Sequence, residues 1–379
     1  MDTLLSDDEK LIKNTIKDYS NQKIAPRASN YDLNNEFPWK NIQGLAELGM
    51  FGLTIEEKYG GTGGTMRQLC IVVEEISKAC ASTGIIYIAH LSLCAQLIQM
   101  YGNKNQKEKY LPELVNANKI GAFALTEPDA GSDAGGLNST LEVVNDNYIL
   151  NGSKTYITNA PEAGIFIVLA NKNKLLKNKG IEALIVEKSK GIEVIKQVGK
   201  MGIKASSTGQ ITFSNVEIPI QNRIGDEGTG FRLAMQSLNC SRIAVAAQCI
   251  GIAQASYESA IKYAKNRKAF GKNISEFQSI QNMIADMATE IQAARLLVFE
   301  AATLKDNNLE FVTQASMAKL MASKVAVECA NKSMQIHGGA GYFAPSNIER
   351  YYRDAKVTEI YEGTTQIQQM IIAKKLLNL

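Results

Sequence analysis

One carboxylate near the C-terminal end stands in a setting that suits proton transfer. Glu362 lies in the run Ile360-Tyr361-Glu362-Gly363-Thr364, between two segments of helical periodicity. The glycine permits a tight turn and the aromatic neighbour helps to enclose the carboxylate, so we expect Glu362 to point into a pocket. A carboxylate enclosed in this way is a candidate general base.

Two other segments contain polar groups that suit a ligand site. The run Thr126-Glu127-Pro128-Asp129-Ala130-Gly131-Ser132-Asp133 follows a strand-like run and clusters backbone donors with hydroxyls, although a plain β-turn would explain it equally well. Further along, Tyr156 and Thr158 are two residues apart and would share one face of a strand. Both residue types favour strands for other reasons, so this second signal is weak alone.

Composition excludes several classes of protein. With 41 basic and 38 acidic residues the net charge is +3, which gives no electrostatic footprint for nucleic acid. His90 and His337 are the only two histidines, so zinc catalysis and Ser–His chemistry are disfavoured, and no metal site is expected. We expect His90 to be a hydrogen-bonded core residue. Six cysteines without C-x-x-C spacing favour a reducing compartment.

The ends and apolar runs of the chain give no sign of a membrane. The N-terminal residues lack the apolar core of a secretory signal, and no apolar run is expected to reach membrane-spanning length. We therefore expect a cytoplasmic protein with no membrane insertion.

The periodicity predicts three zones and an α+β multidomain fold. Residues 1–118 read as an N-terminal α-helical domain, 119–227 as a middle antiparallel β-barrel or sandwich, and 228–379 as a C-terminal four-helix bundle. The expected strand runs are Gly121–Leu125, Thr140–Val144, Tyr148–Leu150, Tyr156–Thr158, Phe166–Ala170, Ala183–Val186 and Ile211–Phe213. The expected long helices of the bundle are Phe231–Arg267, Gln278–Asp306, Val312–Ile336 and Thr365–Leu377.

Five motifs follow one another along the chain, namely T-E-P-D-A-G-S-D, K-x-Y-I-T-N, R-x-x-F-G, Q-I-H-G-G-A-G-Y and I-Y-E-G-T. Their order resembles that of the acyl-CoA dehydrogenase family over essentially the whole chain. It implies FAD-dependent α,β-dehydrogenation of a short acyl thioester, in which Glu362 takes the α-proton and the β-hydrogen leaves as hydride to N5 of FAD. It also implies a homotetramer, arranged as a dimer of dimers, and an electron-transferring flavoprotein or oxygen as acceptor.

The resemblance also assigns binding residues. Those assigned to FAD are Phe123, Leu125, Thr126, Gly131, Ser132, Tyr156, Thr158, Arg267, Phe270, Phe277, Gln278, Gln335, Gly338, Gly339, Thr364 and Gln366. Of these, the set from Arg267 to Gly339, apart from Phe277, would reach the FAD of a neighbouring subunit. Those assigned to the substrate are Ser132, Asn239, Ser241, Arg242, Tyr361 and Gly363. His337 would form part of a wall.

The thioester carrier remains open at this stage. Relatives that bind CoA commonly have Asp where Asn239 stands. The acyl group is therefore carried either by CoA or by the phosphopantetheine of a carrier protein. The alternatives to an acyl-CoA dehydrogenase are a dehydrogenase or oxidase of a carrier-tethered acyl or aminoacyl group, such as prolyl, and a non-catalytic flavin-binding paralogue. We expect Tyr87, Ile98 and Met100 to cap a short acyl pocket.

Overall fold

The computed structural model describes residues 4–344 and 346–379 and begins with a helical region. Its α-helices are α1 (Asp7–Tyr19), α2 (Ala25–Asn34), α3 (Trp39–Glu47), α4 (Met66–Ala79), α5 (Ala81–Ile88), α6 (Gln96–Tyr101) and α7 (Lys104–Val115). Reciprocal caps start three of them, namely Ser6 with Glu9, Thr65 with Gln68 and Asn103 with Gln106. Each pair satisfies two backbone N–H groups that a helix start leaves unpaired. The predicted N-terminal helical domain is confirmed.

One apolar segment runs through the middle of this region. α5 continues through a π-helical stretch at Ala89–Ala95 into α6. In the described part of the chain, Ala81–Tyr101 is the one helix long and apolar enough to cross a membrane, yet 94% of its most apolar stretch is buried inside the protein. The expectation that no apolar run reaches that length is therefore wrong. His90 lies in its core, where the Gly121 N–H donates to Nδ1 at 3.0 Å.

The middle of the chain forms one seven-stranded sheet. Its strands are β1 (Ile120–Ala124), β2 (Thr140–Val144), β3 (Asn147–Thr158), β4 (Ala163–Asn171), β5 (Ile181–Glu187), β6 (Ile192–Lys196) and β7 (Thr208–Pro219). The strand order is β1-β4-β2-β3-β7-β6, and β5 pairs additionally with β4 along Ile165–Asn171. Two predicted runs, Tyr148–Leu150 and Tyr156–Thr158, belong to the single long strand β3.

The sheet is mixed, which corrects the expectation of a purely antiparallel barrel or sandwich. β1 pairs in parallel with β4, and Thr140 of β2 meets Asn171 of β4 in the same sense. The other pairings in the sheet are antiparallel. β4 is buried on both faces because alternate residues enter different cores: Ile165 and Ile167 join the helical core, and Phe166 joins a second core formed by the sheet.

The C-terminal region is a helical bundle built on one long helix. Its elements are α8 (Gly230–Asn266), a hairpin of β8 (Lys268–Ala269) and β9 (Lys272–Asn273), α9 (Gln278–Asp306), α10 (Val312–His337), α11 (Gly339–Tyr342), α12 (Ile348–Lys356) and α13 (Thr365–Leu377). α8 packs against α10, α9 and α4. Buried alanines such as Ala246, Ala318 and Ala322 allow the helices to approach closely. The four predicted long helices are confirmed.

Candidate active site

Glu362 lies on the loop that joins α12 to α13. A 3-10 turn at Val357–Glu359 reverses the chain, and Thr364 caps α13 by accepting from the Ile367 N–H at 3.3 Å. Glu362 has a φ of +56° and Gly363 a φ of +93°. A left-handed conformation at a residue other than glycine is strained, and such strain persists where the surroundings enforce it.

Three side chains enforce this conformation by binding the loop carbonyls. Arg242 of α8 donates from Nε to the Glu362 carbonyl at 3.2 Å, and Lys319 of α10 donates from Nζ to the Gly363 carbonyl at 2.8 Å. Gln368 of α13 donates to both carbonyls, at 3.1 and 3.0 Å. The loop is thus fixed from three helices, so the direction of the Glu362 side chain is fixed as well.

Gly363 is required by both the backbone conformation and the available space. A Cβ on this residue would lie 2.6 Å from Nε2 of Gln368 and 3.3 Å from Cγ2 of Ile367. The first distance is shorter than any ordinary contact, so a side chain here would displace the Gln368 amide from the loop.

The Glu362 carboxylate is enclosed and poorly paired. Its Oε2 is buried with no hydrogen-bond partner among residues 4–344 and 346–379. Burial raises the pKa of Glu362 to about 7, against the opposing influence of the Arg242 guanidinium, the Ser241 hydroxyl and the Lys319 ammonium. A carboxylate with a pKa near neutrality is suited to take up and release a proton at working pH.

Neighbouring side chains orient the groups around the carboxylate. Asn239 accepts from Nη1 of Arg242 at 2.5 Å, which fixes the guanidinium whose Nε binds the loop. The Tyr361 hydroxyl donates to Oε1 of Gln248 at 2.5 Å, which turns the tyrosine ring towards α8. Both contacts stabilise the loop from the side of α8.

Two adjoining cavities meet at Glu362. Their volumes are about 670 and 570 Å³, and both are lined by Thr126, Gly131, Ser132, Tyr156, Thr158, Tyr361, Glu362 and Gly363. Ile85 lines both cavities as well, and the larger one, the apolar cavity, has further walls made by Ala89, Leu93, Phe123, Leu125, Phe231, Met235, Leu238 and Arg242. The smaller one, the sheet-side cavity, has further walls that include Lys200, Ile203, Ser206, Thr208, Val357, Ile360 and Thr364.

The residues expected to cap a short pocket do not line either cavity. Tyr87 is fully buried and its hydroxyl donates to the Met50 carbonyl at 2.8 Å, and Ile98 is also fully buried. Met100 is partly buried and absent from both linings. That expectation is wrong, because the face of this helix turned towards the cavity carries Ile85, Ala89 and Leu93.

A buried ion pair shapes the turn from Thr126 to Asp133. Lys154 donates to Oε1 of Glu127 at 2.7 Å and to the Leu125 carbonyl at 3.0 Å, while Glu127 also accepts from the backbone N–H groups of Asn138 and Ser139. Burial raises the pKa of Glu127, but Lys154 and these donors outweigh it and the pKa is lowered. The segment is therefore a fixed turn whose Gly131 and Ser132 face both cavities.

Tyr156 and Thr158 extend from the irregular end of β3. The pairing of β3 with β7 shifts register between Lys154 and Ile157, and Tyr156 has a φ of +57°. The Tyr156 N–H donates to Oε1 of Gln197 at 3.0 Å, and 71% of the residue surface is exposed. The Tyr156 backbone is thus fixed beside the cavities, while most of the residue surface stays exposed.

The remaining assigned residues lie outside both linings. They are Arg267, Phe270, Phe277, Gln278, Gln335, Gly338, Gly339, Gln366, Asn239 and Ser241. The ends of α8 and α10 are joined by stacking of Tyr263 on His337, with ring centroids 4.3 Å apart. Phe270 is 95% exposed, and an added Cβ on Gly338 or Gly339 would meet nothing within 4 Å. We call the set from Arg267 to Gly339 the outer cluster. In a single chain this cluster lies open at the protein surface.

Several residues of the site escaped the sequence reasoning. Lys319, Gln368 and Gln248 hold the Glu362 loop, and Lys200 lies in the wall of the sheet-side cavity. The one available signal was the placement of Lys319 among small residues at helical spacing, from Ala315 to Ala322.

Within the described ranges, no three His, Cys, Asp or Glu side chains are grouped closely enough to hold a metal ion.

Comparison with known proteins covers nearly the whole chain. Family models described as acyl-CoA dehydrogenase N-terminal, middle and C-terminal domains match residues 6–118, 122–216 and 228–377. The short-chain specific acyl-CoA dehydrogenase of Clostridium acetobutylicum is 41% identical over 377 residues, covering 99% of this chain and 100% of that protein.

Two solved structures have nearly the same fold. Butyryl-CoA dehydrogenase from Megasphaera elsdenii superposes with a TM-score of 0.97 at 42% identity, and both chains are covered completely. The prolyl acyl carrier protein oxidase AnaB superposes with a TM-score of 0.95 at 31% identity, covering 99% of this chain and 100% of that one. The family models, the sequence identity and the shared fold agree: this chain belongs to the acyl-CoA dehydrogenase family.

Proposed function

We propose that this protein is an FAD-dependent dehydrogenase that forms a double bond between Cα and Cβ of a short acyl-CoA. The observation that carries the proposal is the Glu362 carboxylate, which lies where two cavities meet, has a buried Oε2 without a hydrogen-bond partner among the described residues, and has its pKa raised to about 7 by burial. The preference for a short acyl chain is supported by relatives named short-chain acyl-CoA and butyryl-CoA dehydrogenases.

Glu362 is the catalytic base in this proposal. Its carboxylate takes the α-proton, and bound FAD supplies the acceptor for the β-hydrogen, which leaves as hydride. Negative charge develops on the thioester oxygen as the α-proton is removed, so a donor is needed there. The backbone N–H of Glu362 suits that role, since it makes no hydrogen bond within the described residues.

The residues of the sheet-side cavity suit a flavin. The turn containing Thr126, Gly131 and Ser132 is held rigid, and an added Cβ on Gly131 would meet nothing within 4 Å, so a ligand can approach its backbone closely. Tyr156 presents an uncovered aromatic face for stacking, and Thr158 adds a hydroxyl beside it. We propose that these groups hold FAD together with Thr364 of the same cavity and with Phe123 and Leu125 of the adjoining apolar cavity.

The apolar cavity suits the acyl chain. Its walls are mostly aliphatic and aromatic, and Arg242, Tyr361 and Glu362 lie on its polar side. An acyl chain placed there would bring its α-carbon towards Glu362. We propose that Ser132, Asn239, Ser241, Arg242, Tyr361 and Gly363 form the polar surroundings of the thioester.

We further propose a homotetramer, arranged as a dimer of dimers. The outer cluster and Gln366 would then contact the FAD of a neighbouring subunit, with the Arg267 guanidinium suited to the pyrophosphate. The proposed electron acceptor is an electron-transferring flavoprotein. We also propose domain limits of 1–118, 119–227 and 228–379, and a cytoplasmic location. Six free buried cysteines are compatible with such a reducing compartment.

The main alternative is oxidation of an acyl or aminoacyl group tethered to a carrier protein. The likeness to AnaB, a prolyl acyl carrier protein oxidase, is the reason to test this alternative. The higher identity to butyryl-CoA dehydrogenase, 42% against 31%, favours CoA.

Anaerobic bleaching of the flavin tests the function directly. Wild-type enzyme should be bleached by butyryl-CoA faster than by long-chain acyl-CoAs or by carrier-bound acyl and prolyl thioesters. Glu362→Gln should keep its FAD and lose bleaching. Glu359→Gln, which changes a carboxylate three residues away that lines neither cavity, should bleach normally. Bleaching of Glu362→Gln at the wild-type rate would overturn the assignment of the base.

A further inference from the structure

A buried lysine lies beneath the Glu362 loop and has no role in the chemistry described above. Lys319 of α10 is fully buried, and its Nζ donates to the Gly363 carbonyl at 2.8 Å. No carboxylate lies within salt-bridge distance of this ammonium in the described parts of the chain.

The charge of this residue needs an explanation. A neutral donor is enough to satisfy a backbone carbonyl, and Gln368 already donates to the same oxygen at 3.0 Å. Burying an ammonium without a paired anion is unfavourable, because the group loses its hydration. A lysine at this position is therefore understandable if its charge acts on another group nearby.

We propose that Lys319 is a positioning residue for the catalytic base: it fixes the Gly363 carbonyl, and its ammonium favours the ionised form of the adjacent Glu362. This inference rests on the proposed function of Glu362. It adds a specific electrostatic partner on α10, on a different helix from Arg242.

The charges around Lys319 agree with this role. Burial lowers the pKa of Lys319 to about 8, while Cys249 of α8, Glu362 and Glu359 raise it and Arg242 lowers it further. Both groups are thus shifted towards neutral pH by burial, and the charged form of each favours the charged form of the other. Among the groups that lower the pKa of Glu362, Lys319 and Arg242 are the two cations.

Two substitutions separate the charge from the hydrogen bond. Lys319→Gln keeps a donor near the Gly363 carbonyl and removes the charge, whereas Lys319→Met removes both. Lys324→Met, at an exposed lysine five residues along the same helix, is the matched control. In both Lys319 variants the acidic limb of kcat/KM should move to higher pH by at least about half a unit, since an opposite charge has been removed. Lys319→Met should also lose kcat.

A readout without turnover keeps this test independent of the reaction. The pH dependence of urea unfolding is compared for wild type, Lys319→Gln, Glu362→Gln and the double variant. The proposal expects the effect of Lys319→Gln to depend on the presence of the Glu362 carboxylate between pH 6 and 8. Additive effects at every pH, together with an acidic limb unchanged in Lys319→Gln, would overturn it. A wild-type enzyme inert to all thioesters would refute the proposed function alone.

Discussion

Replacement of Glu362 by glutamine should stabilise the folded protein, and the gain should depend on pH. The carboxylate has its pKa raised from 4.5 to about 7 by burial, so the folded state holds its proton more tightly than the unfolded chain does. The stability contributed by that group is complete below pH 4.5 and is lost as pH rises through 7. The neutral amide of the Glu362→Gln variant would have the shape of the protonated acid without this loss.

The size of the effect follows from the shift. Each pKa unit corresponds to about 1.36 kcal/mol, so ionised Glu362 should lower the free energy of unfolding by about 3 kcal/mol at pH 8. At pH 5 the same carboxylate is almost fully protonated in the folded state, and the difference should fall below about 1 kcal/mol. Glu362→Gln should therefore be clearly more stable than wild type at pH 8 and nearly equal to it at pH 5.

Urea unfolding followed by circular dichroism measures this difference. Both proteins should be compared at matched FAD content at pH 5, 6.5 and 8, with Glu359→Gln as the control for removal of a carboxylate from the same segment. A stability difference that does not change with pH, or a glutamine variant less stable than wild type at pH 8, would show that the carboxylate is well solvated or paired. The argument for a desolvated base would then be refuted.

Four other substitutions test separate parts of the structure. Gly363→Ala should destabilise the protein by about 1–2 kcal/mol, as its left-handed backbone disfavours a side chain, and should lower kcat; thermal unfolding and turnover measure both. Lys154→Met should cost about 3–5 kcal/mol because it leaves Glu127 buried and unpaired, and the double variant with Glu127→Gln should recover most of that in urea titrations. Ala89→Phe should fill the apolar cavity and favour butyryl- over octanoyl-CoA by about tenfold or more in kcat/KM. Arg267→Ala should lower FAD occupancy in the absorbance spectrum, and unchanged occupancy would contradict the role of the outer cluster.

Local patterns predicted much of the fold, and long-range pairings account for most of what they missed. The four long helices of the bundle and most strands follow from periodicity alone. The parallel pairing of β1 with β4 did not, because it joins segments separated by two other strands. β6 was missed because it is a short strand at the edge of the sheet, where the alternation of Ile192 and Val194 spans only three residues.

The same distinction holds at the candidate site. The tight loop of Glu362 and the turn before Ser132 are local features, and the sequence indicated both. Lys319 reaches the loop from a helix more than forty residues earlier, and the small residues around it indicate close helix packing without indicating that contact. The wrong choice of pocket residues has a different cause: this segment is apolar on nearly every side, so its sequence does not show which face lines the cavity, and the π-helical stretch at Ala89–Ala95 departs from regular α-helical spacing.

The length of α8 carries a further consequence. Arg242, which binds the Glu362 carbonyl, and Arg267, at the end of the same helix, are 25 positions apart. At about 1.5 Å per residue this places their backbones nearly 40 Å apart along one rigid axis. The length of α8 therefore sets the distance between the two arginines. A single inserted residue would rotate one arginine by about 100° relative to the other, so the length of α8 between them is as constrained as the two side chains themselves.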